Sequence, residues 1–262
     1  MTVREALREA ERRLTVAGVD TPRVDAEWLV AHLLGTTRSG LAARLGDEVR
    51  GLEPLLARRE AREPLAYVLG EWGFRRLTLK TDARALVPRP ETETLVERAL
   101  AVAAEITRQP RFLDVGVGSG AVALALKDER PDAQVTGVDV SPEALALARE
   151  NAERLGLEVE LREGDGVAAA AEGWDVVVAN PPYVESLDEV EPELRWEPAV
   201  ALVGRGEHER IARAVKARFV VFEVGDGQAP RVAAMLERLG CLDVATTADL
   251  TGRARVVEAR LP

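Results

Sequence analysis

Apolar positions recur every three to four residues from the N-terminus to about residue 69. Leu7, Ala10, Leu14 and Ala17 share one face of a helix. Gly18 offers that helix a stop. Thr21-Pro22 reads as an N-cap followed by proline at the first helical position, opening a second helix through Trp28, Leu29 and Leu33. Leu52, Leu55, Leu56 and Arg59 begin another. No strand pattern interrupts this block, so residues 1–70 are expected to form a small helical domain.

From Glu71 to Arg89 the period shortens to two. Leu77, Leu79 and Leu86 alternate with polar residues around a turn at Thr81-Asp82, which predicts a β-hairpin or extended connector over 71–90. Pro88 and Pro90 end it, and Glu91–Thr107 reads as a helix. Strands and helices then alternate through a second domain, 91–262. Strands are expected at Arg111–Val115, Gln134–Asp139, Leu157–Leu161, Trp174–Ala179, Phe219–Val224, Asp243–Thr247 and Arg255–Arg260, with helices at Gly120–Arg130 and Pro142–Leu155. Such alternation implies an α/β fold, a mostly parallel sheet covered on both faces.

Composition narrows the function. Of 262 residues 47% are hydrophobic, enough for a core, yet no run of 18 apolar residues would span a membrane. The charged helical start, MTVREALREAERRL, is not a signal peptide. A single cysteine, Cys241, leaves no internal disulfide to form. The two histidines, His32 and His208, are far apart, so no metal site is expected. A cytoplasmic protein follows. Residues 1–80 carry 14 Arg/Lys against 12 Asp/Glu, and the remainder 21 against 33. An acidic main domain argues against general nucleic-acid binding, which rests on phosphate neutralisation.

Two motifs carry the chemistry. After the first strand of the second domain comes Asp114-Val115-Gly116-Val117-Gly118-Ser119-Gly120. Three alternating glycines between a strand and a helix permit a tight turn and close approach of a ligand to the backbone. The spacing differs from the G-x-G-x-x-G of dinucleotide folds. The carboxylate of Asp114 suits a ligand with a positive end. Asp139 ends the next strand, where an acid can accept both hydroxyls of a ribose, and Asp165 follows the third strand, where one can hold an adenine amino group. Singly, Asp139 suits a helix cap as well as a ribose, and Asp165 reads as a turn residue. Together the three describe a ribose, an adenine and a cationic amino-acid end, which S-adenosylmethionine supplies.

The second motif follows the strand Trp174–Ala179: Asn180-Pro181-Pro182-Tyr183. Two prolines cannot continue a central strand, so the motif stands at its tip. The carbonyls of Asn180 and Pro181, fixed by the stiff backbone, can accept both hydrogens of a planar NH2 group, and the Tyr183 ring can lie against it. Such a nitrogen is a poor nucleophile. Fixed acceptors orient it, favour electron density on it and stabilise the positive charge that develops as a sulfonium methyl is transferred. No histidine base is required.

With these motifs the chain resembles the protein-(glutamine-N5) methyltransferases that modify peptide chain release factors, the PrmC/HemK-like family. The resemblance spans nearly the whole chain. It includes Arg58-Arg59, Glu63 to Tyr67, Gly73-Phe74, Val87 to Glu93, Asp114 to Gly120, Asp139, Asn180 to Tyr183, Glu197-Pro198, and Asp249 to Arg253 followed by Arg255 to Val257. It implies a class I, Rossmann-like methyltransferase domain with a mostly parallel seven-stranded sheet, behind a helical N-terminal domain that helps dock the release factor. The substrate would be the glutamine of a Gly-Gly-Gln loop, and the products methylglutamine and S-adenosylhomocysteine. Asn180, Pro181, Pro182 and Tyr183 would act on the amide, with Phe74, Arg89 and Glu91 near the pocket mouth. Alone, Phe74 reads as core and Arg89 as a surface ion-pair partner. The cofactor would contact Asp114, Gly116, Val117, Gly118, Ser119, Gly120, Asp139, Val140, Asp165, Gly166 and Asn180. A monomer with no stable nucleic-acid or membrane partner is expected.

Two features depart from the family. An aromatic residue often follows the adenine-binding acid, where this chain has Gly166, leaving Val140 or Val167 to face the adenine. The segment between Leu202 and Phe219 is short and is expected to lie remote from the chemistry. Competing readings are methylation of a ribosomal-protein glutamine, adenine-N6 methylation of nucleic acid, and a cofactor-sensing binding module. The acidic second domain and an aromatic content of 4% weigh against the nucleic-acid reading.

Overall fold

The computed structural model describes residues 1–106, 108–184, 186 and 190–262. They form two compact units, Met1–Glu71 with Val190–Trp196, and Trp72–Glu189 with Glu197–Pro262.

In the first unit α1 (Val3–Val16) starts at a capping box. The Thr2 hydroxyl accepts the Glu5 N–H at 3.3 Å while Glu5 Oε2 accepts the Thr2 N–H at 2.8 Å. Its apolar face, Ala6, Leu7, Ala10 and Leu14, is buried, and the helix packs on α2 (Pro22–Leu33) and α3 (Leu52–Glu60). A short α4 (Leu65–Leu69) follows. Thr21 precedes α2 as expected, but its hydroxyl donates to Asp25 Oδ1 at 2.8 Å instead of capping the helix. Asp25 is buried and also accepts Arg59 Nε at 2.7 Å. Arg59 Nη2 reaches Glu193 at 2.8 Å, and Arg62 grips the same carboxylate at 2.7 and 2.8 Å. These ion pairs fasten the Val190–Trp196 segment into the helical unit.

The hairpin is β1 (Glu71–Phe74) and β2 (Leu77–Lys80), followed by α5 (Thr92–Ala103), β3 (Arg111–Val115) and α6 (Ala121–Glu129). Its turn is Arg75-Arg76, not Thr81-Asp82, which lie beyond β2. Arg75 adopts a left-handed φ of +50°. Its N–H donates to Glu93 Oε1 at 2.9 Å and its guanidinium pairs with Glu129. Contacts with α5 and α6 thus hold a turn that carries no glycine or asparagine. Helix α5 ends at Ala103, short of the expected Thr107, which lies outside the described residues.

The chain continues through β4 (Gln134–Asp139), α7 (Pro142–Leu155), β5 (Glu160–Glu163), α8 (Gly166–Ala170), β6 (Trp174–Ala179), α9 (Ala199–Leu202), α10 (Glu207–Ala214), β7 (Ala217–Glu223), α11 (Ala229–Arg238), β8 (Leu242–Ala248) and β9 (Ala254–Arg260). Among the described residues the main sheet has seven strands in the order β5-β4-β3-β6-β7-β9-β8. The first five are parallel, and β9 runs antiparallel to both neighbours. Strand β5 begins later than Leu157. Leu157 and Val159 pack on the core ahead of the pairing, which starts at Thr136 with Glu160.

Alternation along the central strands fills both faces. Phe112, Val176 and Val178 pack with Leu95, Ala99, Leu124 and Leu145 on one side. Leu113, Val177 and Ala179 pack with Ala169, Ile211, Val232 and Leu236 on the other. The order of strands reverses between β3 and β6, where Val115 pairs with Ala179. Open α/β sheets bind ligands at the carboxyl ends of the strands beside such a reversal. No helix among the described residues is long and apolar enough to cross a membrane.

Candidate active site

The two motifs meet at this reversal. Gly116, Gly118 and Gly120 all have left-handed φ, +77°, +55° and +87°, so the turn after β3 needs residues without a Cβ. The N–H groups of Gly116 and Val117 donate to the Val138 carbonyl at 2.9 and 3.0 Å. From α7 the fully buried Asn151 donates to the Ser119 carbonyl at 2.9 Å and to that of Lys80 at 3.1 Å, and accepts the Lys80 N–H at 2.7 Å. One amide thereby ties the glycine turn to the hairpin. A cavity of about 500 Å³ opens over the turn, within the range of small-molecule sites.

Three aspartates line it. Asp114 is buried and its Oδ2 accepts the Ala123 N–H at 3.1 Å. Burial pushes its carboxyl up to about 7, against that hydrogen bond and with help from the charge of Asp139. Asp139 accepts Gly118 N–H at 2.9 Å and Ser141 N–H at 3.0 Å. The cap of α7 is Ser141, which accepts the Ala144 N–H, so Asp139 is aimed by the backbone and retains lone pairs for a ligand. Asp165 caps α8 through the Val167 N–H at 2.9 Å and still lines the cavity. Val140 and Val167 also line it. Gly166 has a packing reason: a Cβ there would stand 2.2 Å from Val115 Cγ1. Helix α8 sits too close to β3 for any larger residue.

Val117, Ser119, Asn180, Pro181 and Pro182 share the same wall, whereas Gly120 starts α6 just behind it. Asn180 Nδ2 donates to the Thr92 hydroxyl at 3.4 Å. Tyr183 is off this wall. Its ring lies over Gly225, so close that a Cβ there would fall 2.9 Å from Cδ2, and it borders a smaller cavity of about 110 Å³ with Pro182, His208 and Gln228. Burial, followed by the Glu223 charge, pushes its phenol upward.

The expected pocket-mouth residues divide. Arg89 lines the cavity and pairs with the buried Glu197. Glu91 stands at the head of α5 outside the wall, where the neighbouring Thr92 takes its place. Phe74 is not at the mouth. It is buried among Leu79, Leu95 and Phe112, because the hairpin turns its aromatic side into the core.

Other positions were not legible as site residues. Glu197 accepts the Val87 N–H at 2.9 Å, and Val87, Pro88 and Arg89 form a wall. The segment between Leu202 and Phe219 is not remote: Val203, Glu207, Arg210 and Ile211 line the cavity, and Arg210 Nη2 lies 3.8 Å from Asp165. Val184 bridges to Val203, and Ile211 and Ala212 pack into the core on one face of the sheet. Glu223, the acid at the end of β7, carried the same signal as Asp114 and Asp139 but is hidden in an apolar run.

A buried carboxyl beside a left-handed glycine turn, an acid after each of the next two strands and an asparagine-proline tip define a class I methyltransferase. The Methyltransferase small domain family matches residues 92–206 and the PrmC N-terminal domain family residues 5–70. Release factor glutamine methyltransferase of Deinococcus radiodurans is 42% identical over 279 residues, covering 99% of each chain. That of Escherichia coli strain K12 is 37% identical over 276 residues, covering 97% of each. The chain belongs to the release factor glutamine methyltransferase family. A solved human methyltransferase 10 domain containing protein shares the fold at 13% identity and a TM-score of 0.53, over 70% of this chain and 87% of its own.

Proposed function

We infer that this protein transfers a methyl group from S-adenosylmethionine to the side-chain amide nitrogen (N5) of the glutamine in the Gly-Gly-Gln motif of peptide chain release factors, in the cytoplasm. One observation carries the reading. The glycine turn after β3 and Asn180-Pro181-Pro182 after β6 line a single cavity.

The lining fits the cofactor. Asp114 would take the ammonium of its amino-acid end, Asp139 the ribose hydroxyls and Asp165 the adenine amino group, with Val140 and Val167 against the ring. When bound, the cofactor supplies an electrophilic methyl on a sulfonium. The chain does the rest by placement. The Asn180 side-chain carbonyl and the adjacent backbone carbonyl accept the two hydrogens of the glutamine NH2, turning its lone pair toward the methyl. The same carbonyls stabilise positive charge as it grows on nitrogen. The acidic proton that remains leaves to water. Tyr183 borders the smaller cavity beside Pro182, with its ring over Gly225.

The test is a transfer assay with labelled S-adenosylmethionine, offering unmethylated release factor, ribosomal proteins and duplex DNA separately and mapping the product by mass spectrometry. One methyl on the Gly-Gly-Gln glutamine is expected. Label on a ribosomal protein or on DNA, with none on release factor, would overturn the substrate. Cofactor binding with no transfer would favour a sensing module.

A further inference from the structure

Glu223 ends β7 with its side chain buried, and its Oε2 has no hydrogen-bond partner among the described residues. An oxygen left this way is costly unless something engages it, so its surroundings matter. Strand β7 runs parallel to β6 with Phe222 opposite Ala179. Glu223 and Asn180 therefore take the next step of two neighbouring strands. Among the described residues the Thr92 hydroxyl and the Asn180 side chain lie near enough to the carboxyl to favour its ionised form. Thr92 in turn accepts Asn180 Nδ2. The head of α5 and the tips of β6 and β7 thus converge on one asparagine.

We propose that Glu223 is a positioning residue for methyl transfer. Its carboxylate and the Thr92 hydroxyl engage the two N–H donors of Asn180 and turn the Asn180 carbonyl oxygen toward the acceptor amide. A primary amide has both donors at one end and its acceptor at the other. Two acceptors behind the Asn180 nitrogen fix the orientation, since a flip would set carbonyl oxygen against carboxylate. Asn180 lines the cavity and Glu223 does not, so Glu223 acts through the asparagine. This rests on the reading of Asn180 as the holder of the substrate amide.

The arrangement makes transfer sensitive to pH. Burial, opposed by Thr92 and reinforced by Glu91 at the head of α5, pushes the Glu223 carboxyl up to about 7. Arg255 of β9 favours the charge and Tyr183 lies within its field. His208 of α10 places Nε2 2.7 Å from the Glu223 carbonyl. Below neutrality the protonated carboxyl has a donor of its own and no longer fixes Asn180.

The experiment is the single-turnover transfer rate to intact release factor across acid to alkaline pH. Saturating S-adenosylmethionine keeps Asp114 ionised throughout. For the wild type the rate should rise by about tenfold through neutrality and then level. Glu223→Gln removes the charge and one of the two acceptor oxygens and cannot titrate. It should lower the rate by about 10- to 100-fold and abolish the rise, with cofactor Kd and release-factor KM within about twofold. Glu223→Asp should restore part of both. Four results would overturn the proposal. Glu223→Gln could keep the wild-type rate and profile while Asn180→Ala is inactive, which leaves the Asn180 reading standing. It could lose cofactor affinity and thermal stability in step with rate, a merely structural role. A wild-type profile flat through neutrality would decide the matter even if no variant folds. Finally, an active Asn180→Ala would remove the underlying reading and this proposal with it.

Discussion

Glu197 receives the main-chain N–H of Val87 at 2.9 Å, and the same carboxylate pairs with Arg89. One buried acid so holds the stretch of connector that forms a wall of the cavity. Glu197→Ala leaves the Val87 donor unsatisfied, a cost of about 1–3 kcal/mol. It also frees Arg89, which is partly exposed and can reach water. The expected outcome in urea titration is a loss of that size, together with weaker S-adenosylmethionine binding by calorimetry. Glu197→Gln keeps an acceptor for Val87 and should lose less of both. Unchanged cofactor affinity in Glu197→Ala would show that the wall keeps its shape without this anchor.

Asn180→Ala separates chemistry from binding. The substitution removes the side chain that, in the proposed function, would accept from the substrate NH2, and leaves Asp114, Asp139 and Asp165 in place. Loss of one preorganised hydrogen-bonding group costs about 100-fold or more in turnover in comparable sites. The prediction is a loss of that order in kcat with cofactor Kd changed by less than about threefold. A collapse of cofactor binding would mean that Asn180 chiefly serves the cofactor.

Cofactor affinity should depend on pH through Asp114. Burial pushes this carboxyl up to about 7, so in the free protein it is largely protonated below that pH. In the proposed function the carboxylate would hold the cationic end of the cofactor. Binding below about pH 7 therefore releases a proton, and affinity falls as pH drops, approaching about tenfold per pH unit well below the pKa. Above it the affinity levels. Calorimetry in buffers of different ionisation enthalpy detects the released proton. Asp114→Asn should bind weakly and with no such slope.

Legibility followed the source of each element's stability. Strands β3, β4 and β6 and helix α7 lie where their patterns place them, because continuous buried runs, Ser141-Pro142 and the double proline act locally. The hairpin turn was misread because Arg75 is held left-handed by Glu93 and Glu129 from distant helices. At the site, the glycine turn and the strand-end acids were visible as patterns. The supports were not: Asn151 looks like one polar residue on a helix, and its hydrogen bonds to Ser119 and Lys80 exist only after folding. Phe74 lies in the core, as its apolar character alone indicates, and not at the pocket mouth that the family resemblance implies.

Gly166→Ala should destabilise the protein although alanine is the better helix former. The added Cβ meets Val115 Cγ1, and a valine on a strand cannot easily turn away. Overpacking of this kind costs about 1–3 kcal/mol. Val115→Ala opens the space, so the double variant should be more stable than the sum of the single changes allows. Thermal denaturation of the four proteins reads the coupling. Simple additivity would mean that α8 shifts away from β3 at little cost.

In the helical unit Arg59→Ala should be among the most damaging single changes. Arg59 is only 6% exposed in its side chain, and it bridges Asp25 and Glu193. Removing the cation leaves Asp25 buried with Thr21 as its remaining hydroxyl partner, while Glu193 keeps Arg62. Stranding a buried charge costs about 3–5 kcal/mol, a large share of the roughly 5–15 kcal/mol that holds a domain together. Glu193→Gln, which leaves the Arg59–Asp25 pair intact, should cost less. The two units give separate readouts: protease sensitivity within residues 1–71 should rise sharply in Arg59→Ala, while affinity for S-adenosylmethionine, whose proposed site is lined by residues of the other unit, should stay within about twofold. Equal loss of both would mean that the helical unit does not unfold independently and that its ion-pair network supports the whole chain.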